Sequence, residues 1–162
     1  KAFKMLKSET HPSLTLAIII DEDNSSFIKI RYLKKKFGKS KIFLKKNVLN
    51  VRKLIKTHDC IVLPSYSEGM SRSIMEAASS GRAVLCSNIN GCKEMVKNNY
   101  NGFLFEPKST KSLYKALSKF TNLSYNEKVK FGSNSRVLLK KNRFDERNVI
   151  DSYISQIKNE NH

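Results

Sequence analysis

At 162 residues the chain is long enough for one domain with a substantial core, and no apolar run nears the ~20 residues that a membrane-spanning helix needs. Its 31 basic against 14 acidic residues give a formal charge of +17, which fits an anionic partner. Scarce arginine and the lack of an aromatic-plus-basic stacking motif argue against nucleic acid. Weak attraction to an anionic membrane surface and plain solvation of the lysines both stay open. Cys60, Cys86 and Cys92 show no C-x-x-C spacing, which argues against a zinc site or a disulfide framework and favours a reducing cytosol.

In chain order, Lys1 to Glu9 reads as a helix with Ala2, Phe3, Met5 and Leu6 as its apolar stripe. His11-Pro12 breaks it, and Leu14 to Ile20 follows as a β-branched strand. Asp21 to Ser26 reads as a polar turn, Phe27 to Phe37 as an amphipathic helix ended by Gly38, and Lys41 to Leu44 as a short strand. Lys45 to Val51 is the next turn, and Val51 to Thr57 a helix with Leu54 and Ile55 inward. His58 has no neighbour that points to metal or general-base work, so it is expected to be a surface or satisfied histidine.

The densest stretch is Asp59 to Gly81. Cys60 to Leu63 is an apolar run that Pro64 ends, the pattern of a fully buried parallel strand. A polar turn with one glycine, Ser65 to Ser71, comes next. From Arg72 the spacing of Ile74, Met75, Ala77 and Ala78 predicts a helix, with Gly81 at its C′ position. Glu68 lies in the turn and Glu76 eight residues later on the helix. A strand, a turn that offers backbone N–H groups and a helix N-terminus together suit an anion.

Downstream, Ala83 to Cys86 reads as a strand, Ser87 to Gly91 as a loop, and Cys92 to Val96 as a short helix. Asn98 to Asn101 is an asparagine turn suited to the left-handed region, and Gly102 to Phe105 a strand. Ser109 is the expected N-cap of a helix over Lys111 to Phe120, whose inward face is Leu113, Ala116, Leu117 and Phe120. Ser124 to Glu127 spells a capping box opening a helix to about Lys141, and Asp145 is the expected cap of a last helix. Strands alternating with helices imply one α/β domain with a doubly wound parallel sheet.

Glu68-Gly69-Met70-Ser71-Arg72-Ser73-Ile74-Met75-Glu76-Ala77, after a strand ending in Pro64-Ser65, resembles the donor-site signature of retaining glycosyltransferases of family 4. Gly81 to Leu85, Gly91 to Val96 and Asn101 to Phe105 are similar to that family's next landmarks, with Ala83 where a proline is usual. The resemblance implies a Rossmann-like fold, the C-terminal half of a GT-B fold. It also implies that the first strand, with an Arg and a Lys that clasp the donor diphosphate, and an N-terminal Rossmann domain for the acceptor belong to a longer chain. This piece alone would then be nearly inactive. Departures occur at Asp21-Glu22-Asp23, where relatives carry glycines, and at Lys45, where a glycine is usual.

The implied activity is transfer of a hexose or N-acetylhexosamine, with retention, from a nucleotide-sugar donor to a glycan or polyprenyl-linked acceptor in cell-surface polysaccharide or glycoconjugate synthesis. By the same resemblance Glu68 contacts the donor sugar as the catalytic carboxylate. Gly69, Met70, Ser71, Arg72 and Ser73 line the diphosphate, Glu76 takes the ribose hydroxyls, and Asn47-Val48 bracket the nucleobase. No bound metal or other cofactor is implied, and the expected place is the cytoplasm, peripheral at the inner face of the membrane. Without the resemblance Glu76 is an ordinary first-turn carboxylate favoured by the helix dipole, Lys45 to Val51 is a solvated turn, and Glu94 merely anchors a short helix. A non-catalytic basic module that binds nucleotides or nucleic acid is the alternative function; the absence of G-x-G-x-x-G after any strand argues against a dehydrogenase.

Overall fold

The computed structural model describes residues 2–9, 16–20, 42–46 and 48–141. The turn expected at 21–26, the helix at 27–37, Asn47 and the last helix from Asp145 lie outside them. The chain forms two compact units, one over Lys1 and Phe3–Val51 and one over Ala2 and the residues from Arg52 onward.

Helix α1 (Ala2–Glu9) precedes strands β1 (Leu16–Ile20) and β2 (Ile42–Lys46), which pair in parallel. Ala2 and Leu6, one turn apart, are buried, whereas Met5 is 39% exposed, so the apolar stripe is narrower than the sequence predicts. Strand β2 also runs two residues past the predicted end. Lys45 and Lys46 stand opposite Ile19 and Ile20 as ladder residues rather than in a turn. Backbone pairing with the apolar β1 does not depend on side chains, so two lysines do not stop it.

Helix α2 (Val51–Lys56) leads into the second unit, with Ile55 buried. There β3 (Cys60–Leu63), β4 (Ala83–Ser87) and β5 (Gly102–Phe105) form a parallel sheet in that order. Cys60 stands opposite Ala83 and Val84 opposite Gly102. Central β4 is buried at every residue, but β3 is only half-buried, against the expectation from its apolar run. Among the described residues β3 pairs with one strand, β4, and an apolar run marks residues that can be buried, not how much of the fold covers them.

Helix α3 (Arg72–Ser79) connects β3 to β4. Its Ile74 and Ala77 pack with Val84, Cys86 and Leu104 on one face of the sheet. Cys92, Met95 and Val96 fill the same cluster. They do so from a series of turns, not from the short helix expected at 92–96. Cys92 N–H and Lys93 N–H both donate to the Ile89 carbonyl, at 3.2 and 3.0 Å, so the turn tightens before a helical ladder can propagate. On the opposite face Phe103 meets Phe131, ring centroids 5.6 Å apart, and the Lys119 ammonium. Phe131 belongs to α5 (Tyr125–Lys141) and Lys119 to α4 (Thr110–Thr121), so helices cover both faces.

The helix ends follow the sequence signals. Gly81, at φ +67, closes α3 by donating to the Ala78 carbonyl while Arg82 N–H donates to Ala77. The Ser109 hydroxyl accepts from Ser112 N–H at the start of α4. Ser124 and Glu127 form the reciprocal capping box of α5.

Helix α5 lies across the N-terminal ends of β4 and β5. Asn134 donates to the Tyr100 carbonyl at 2.7 Å, Ser135 to Asn101 at 3.4 Å, and Arg136 to Ser79 at 3.2 Å. A Cβ on Gly132 would stand 2.0 Å from the Gly81 carbonyl oxygen, so the helix backbone rests directly on the turn before β4. One end of the sheet is thus closed. The loops after β3, β4 and β5 gather at the other end, where ligands of open α/β sheets sit.

Candidate functional site

The turn after β3 is shaped by a short internal hydrogen bond. Ser65, freed from the strand by Pro64, donates its hydroxyl to Glu68 Oε1 at 2.6 Å and holds the half-buried carboxylate in place. Gly69 and Met70 follow at the surface, Met70 56% exposed. Ser71 is the N-cap of α3 in an extended conformation; its side chain is buried and makes no capping bond. Its carbonyl takes the first helical N–H groups, from Ile74 and Met75, at 3.1 and 3.2 Å.

The five preceding N–H groups, Gly69 to Ser73, donate to no described backbone acceptor. Such a row at a helix N-terminus, where the dipole adds partial positive charge, receives anions. Gly69 needs no left-handed backbone, and a Cβ there would meet nothing within 4 Å, so the fold does not itself demand glycine. An open flank beside donors that have no described backbone acceptor leaves room for a ligand to approach the backbone closely.

Arg72 and Ser73 are exposed in the first turn of α3, and Glu76 is half-buried on the same outward side as Arg72. Glu76 sits at the fifth helical position, about 6 Å further along the axis than Arg72. The first turn holds no acid, so the reading of Glu76 as a first-turn carboxylate serving the dipole fails. Val48 is a half-buried loop residue after β2, in the first unit; its expected partner Asn47 lies outside the described residues.

Two supports of this turn are not visible in the spacing of its own residues. Gly91, at φ +77, lies so close that a Cβ would stand 1.9 Å from the Gly69 carbonyl oxygen and 2.7 Å from that of Glu68. Cys92 follows it into the core. Burial first, and then the nearby Glu68 charge, push its thiol above the ordinary 9.0. From the loop after β5, Lys108 places its ammonium 5.3 Å from the centroid of the Tyr66 ring. The only advance signals were the glycine at 91 and a serine three residues before Glu68.

The family model for glycosyl transferases group 1 matches residues 1–138. Over 118 residues the chain is 31% identical to the Escherichia coli UDP-Gal:alpha-D-GlcNAc-diphosphoundecaprenol alpha-1,3-galactosyltransferase, covering 73% of this chain and 30% of that protein. Over 105 residues it is 30% identical to the Campylobacter jejuni N,N'-diacetylbacillosaminyl-diphospho-undecaprenol alpha-1,3-N-acetylgalactosaminyltransferase, covering 65% of this chain and 27% of that protein. The chain therefore spans about 30% of the length of these relatives. HepE from Anabaena, solved in complex with UDP-glucose, superposes with a TM-score of 0.78 at 18% identity, covering 91% of this chain and 42% of HepE. The shared architecture is the Rossmann-like C-terminal half of a GT-B fold. With a match over residues 1–138 and a parallel α/β sheet of the same architecture, the chain belongs to the glycosyl transferases group 1 family.

Proposed function

We propose that this chain is the donor-binding half of a retaining, family 4 nucleotide-sugar transferase that builds cell-surface polysaccharide or glycoconjugate. The observation that supports this best is the row of N–H groups from Gly69 to Ser73, which have no backbone acceptor among the described residues, beside the tethered carboxylate of Glu68. In the transfer, the acceptor hydroxyl oxygen bonds the anomeric carbon on the face the diphosphate leaves. The bond from that carbon to the diphosphate oxygen breaks, and the diphosphate departs with the electron pair and takes up the hydroxyl proton. The N–H row, the helix dipole and Arg72 meet the charge that develops there. Glu68, acceptor-only when ionised, orients the donor sugar through its hydroxyls, and Glu76 takes the ribose diol. Asn47 and Val48 bracket the base.

The sugar is a hexose or N-acetylhexosamine, and the acceptor a glycan or polyprenyl-linked saccharide on the cytoplasmic side. The two relatives' own names specify diphosphoundecaprenol-linked acceptors. Acceptor-side groups come from a second Rossmann domain of the whole enzyme, and the chemistry needs no metal. On this reading the present chain binds donor weakly and transfers poorly.

Thermal melting with uridine, guanosine and adenosine diphosphates tests the proposal. One of them should raise the melting temperature, and Glu76→Ala should abolish the rise. If none does so while duplex DNA binds with a steep salt dependence, the basic-module reading replaces this one.

A further inference from the structure

Asn-Gly occurs twice in the chain, at Asn90-Gly91 and Asn101-Gly102, and the fold treats the two pairs in opposite ways. In this dipeptide no Cβ shields the glycine nitrogen, so it can attack the carbonyl carbon of the asparagine side chain and close a five-membered ring. The attack needs a side-chain amide that is free to turn toward the backbone.

Asn101 lacks that freedom. It is buried, accepts from Lys97 N–H at 2.7 Å and donates to the Met95 carbonyl at 3.1 Å. A Cβ on Gly102 would stand 1.7 Å from the Val84 carbonyl oxygen, so the backbone after Asn101 is packed tightly as well. Asn90 is the reverse. It is exposed in the turn after β4, and among the described residues neither its side-chain amide nor the Gly91 N–H has a hydrogen-bond partner.

The chain just after Asn90 has no slack. Gly91 lies against the Glu68 and Gly69 carbonyls, and Cys92 is fully buried in the core cluster. An extra backbone atom between Asn90 and Gly91 cannot be absorbed without shifting one of these contacts.

We propose that Asn90 is a site of spontaneous deamidation whose products unseat the turn after β3. The Gly91 nitrogen bonds Asn90 Cγ, the side-chain carbon–nitrogen bond breaks, and ammonia leaves carrying the proton that Gly91 gave up. Water then opens the resulting succinimide. Opening at the main-chain carbonyl gives isoaspartate, which lengthens the backbone by one methylene; opening at the other carbonyl gives aspartate. Either product puts a carboxylate where a neutral amide stood, next to a turn that suits an anion. The effect on nucleotide binding rests on the transferase reading; the modification and the unseating do not.

Incubation of the folded protein in mildly alkaline buffer, followed by peptide mapping, tests the proposal. Trypsin separates the two pairs, into Ala83–Lys93 and Asn98–Lys108, and fragmentation places each product. Residue 90 should convert faster than residue 101 by on the order of 100-fold, because Asn101 reacts only through local opening. In guanidinium the two rates should become comparable. Asn90→Gln, whose ring would be six-membered, should stay unmodified at 90. The isoaspartate form, isolated by cation exchange on its lower positive charge, should unfold at lower urea than the parent, whereas Asn90→Asp should not. Both should bind nucleoside diphosphate roughly tenfold more weakly. No product at 90 in the folded chain, equal folded-state rates at 90 and 101, or unchanged urea unfolding of the isoaspartate form would each overturn the proposal. If no nucleotide raises the melting temperature of the unmodified chain, the transferase reading fails while the mapping and urea measurements still decide this one.

Discussion

The Gly91 backbone lies against the Gly69 carbonyl, at a point where a methyl group on Gly91 would be 1.9 Å from the oxygen. The loop after β4 therefore props the turn after β3, and two glycines in one site have opposite reasons to be glycine. Gly91→Ala forces an L side chain into φ +77 and into a backbone atom that cannot rotate away. We expect a loss of roughly 2–5 kcal/mol, from left-handed strain together with overpacking, and loss of nucleotide binding. Gly69→Ala should leave urea unfolding unchanged, because nothing lies within 4 Å of its Cβ position, yet weaken nucleotide binding roughly tenfold. A destabilised Gly69→Ala, or a fully stable Gly91→Ala, would contradict this division.

Asn101 is the polar anchor of the turn before β5. It is buried, accepts from Lys97 N–H at 2.7 Å and donates to the Met95 carbonyl at 3.1 Å. Asn101→Ala strands both backbone groups, which should cost roughly 2–4 kcal/mol in urea unfolding. A change under half that size would mean that water takes over both bonds.

Glu127 carries a pH signature. Hydrogen bonds from the Ser124 hydroxyl and backbone N–H hold its carboxyl below the ordinary 4.5. A lowered folded-state pKa contributes stability at pH above the ordinary value and loses it as pH falls through the folded value. Glu127→Ala should therefore lower the melting temperature at neutral pH. The gap from the parent chain should narrow as pH drops below 4.5. A gap independent of pH would show that the carboxylate's charge plays no part in the cap.

The three thiols should be unreactive in the folded protein. Burial, then Asp59, pushes Cys60 up to about 12, and burial raises Cys86 and Cys92 as well. Because the thiolate is the reactive form, labelling with Ellman's reagent at pH 8 should be slow for all three and fast after guanidinium unfolding. Rapid native labelling at Cys60, which is half-buried, would show that its strand opens readily.

The order of residues from Cys60 to Gly81 was enough to predict the strand, the turn, the helix and its glycine stop, because each rests on interactions within a few residues. The same holds for the Ser109 cap and the Ser124–Glu127 box. Parallel pairing was legible too, since alternating strands and helices leave few other topologies. Tertiary packing decided the rest. How far β3 is buried depends on what the rest of the fold lays over it, and whether 92–96 coils into a helix depends on where Cys92, Met95 and Val96 must reach to fill the cluster under α3. The support of the Glu68–Gly69 turn by Gly91 spans more than twenty residues of sequence, and the placing of α5 across the far end of the sheet spans some thirty. Local signals carry no distance information of that kind. Sequence alone determined which residues form the turn between β3 and α3; only the folded chain determined what supports that turn and which end of the sheet presents it.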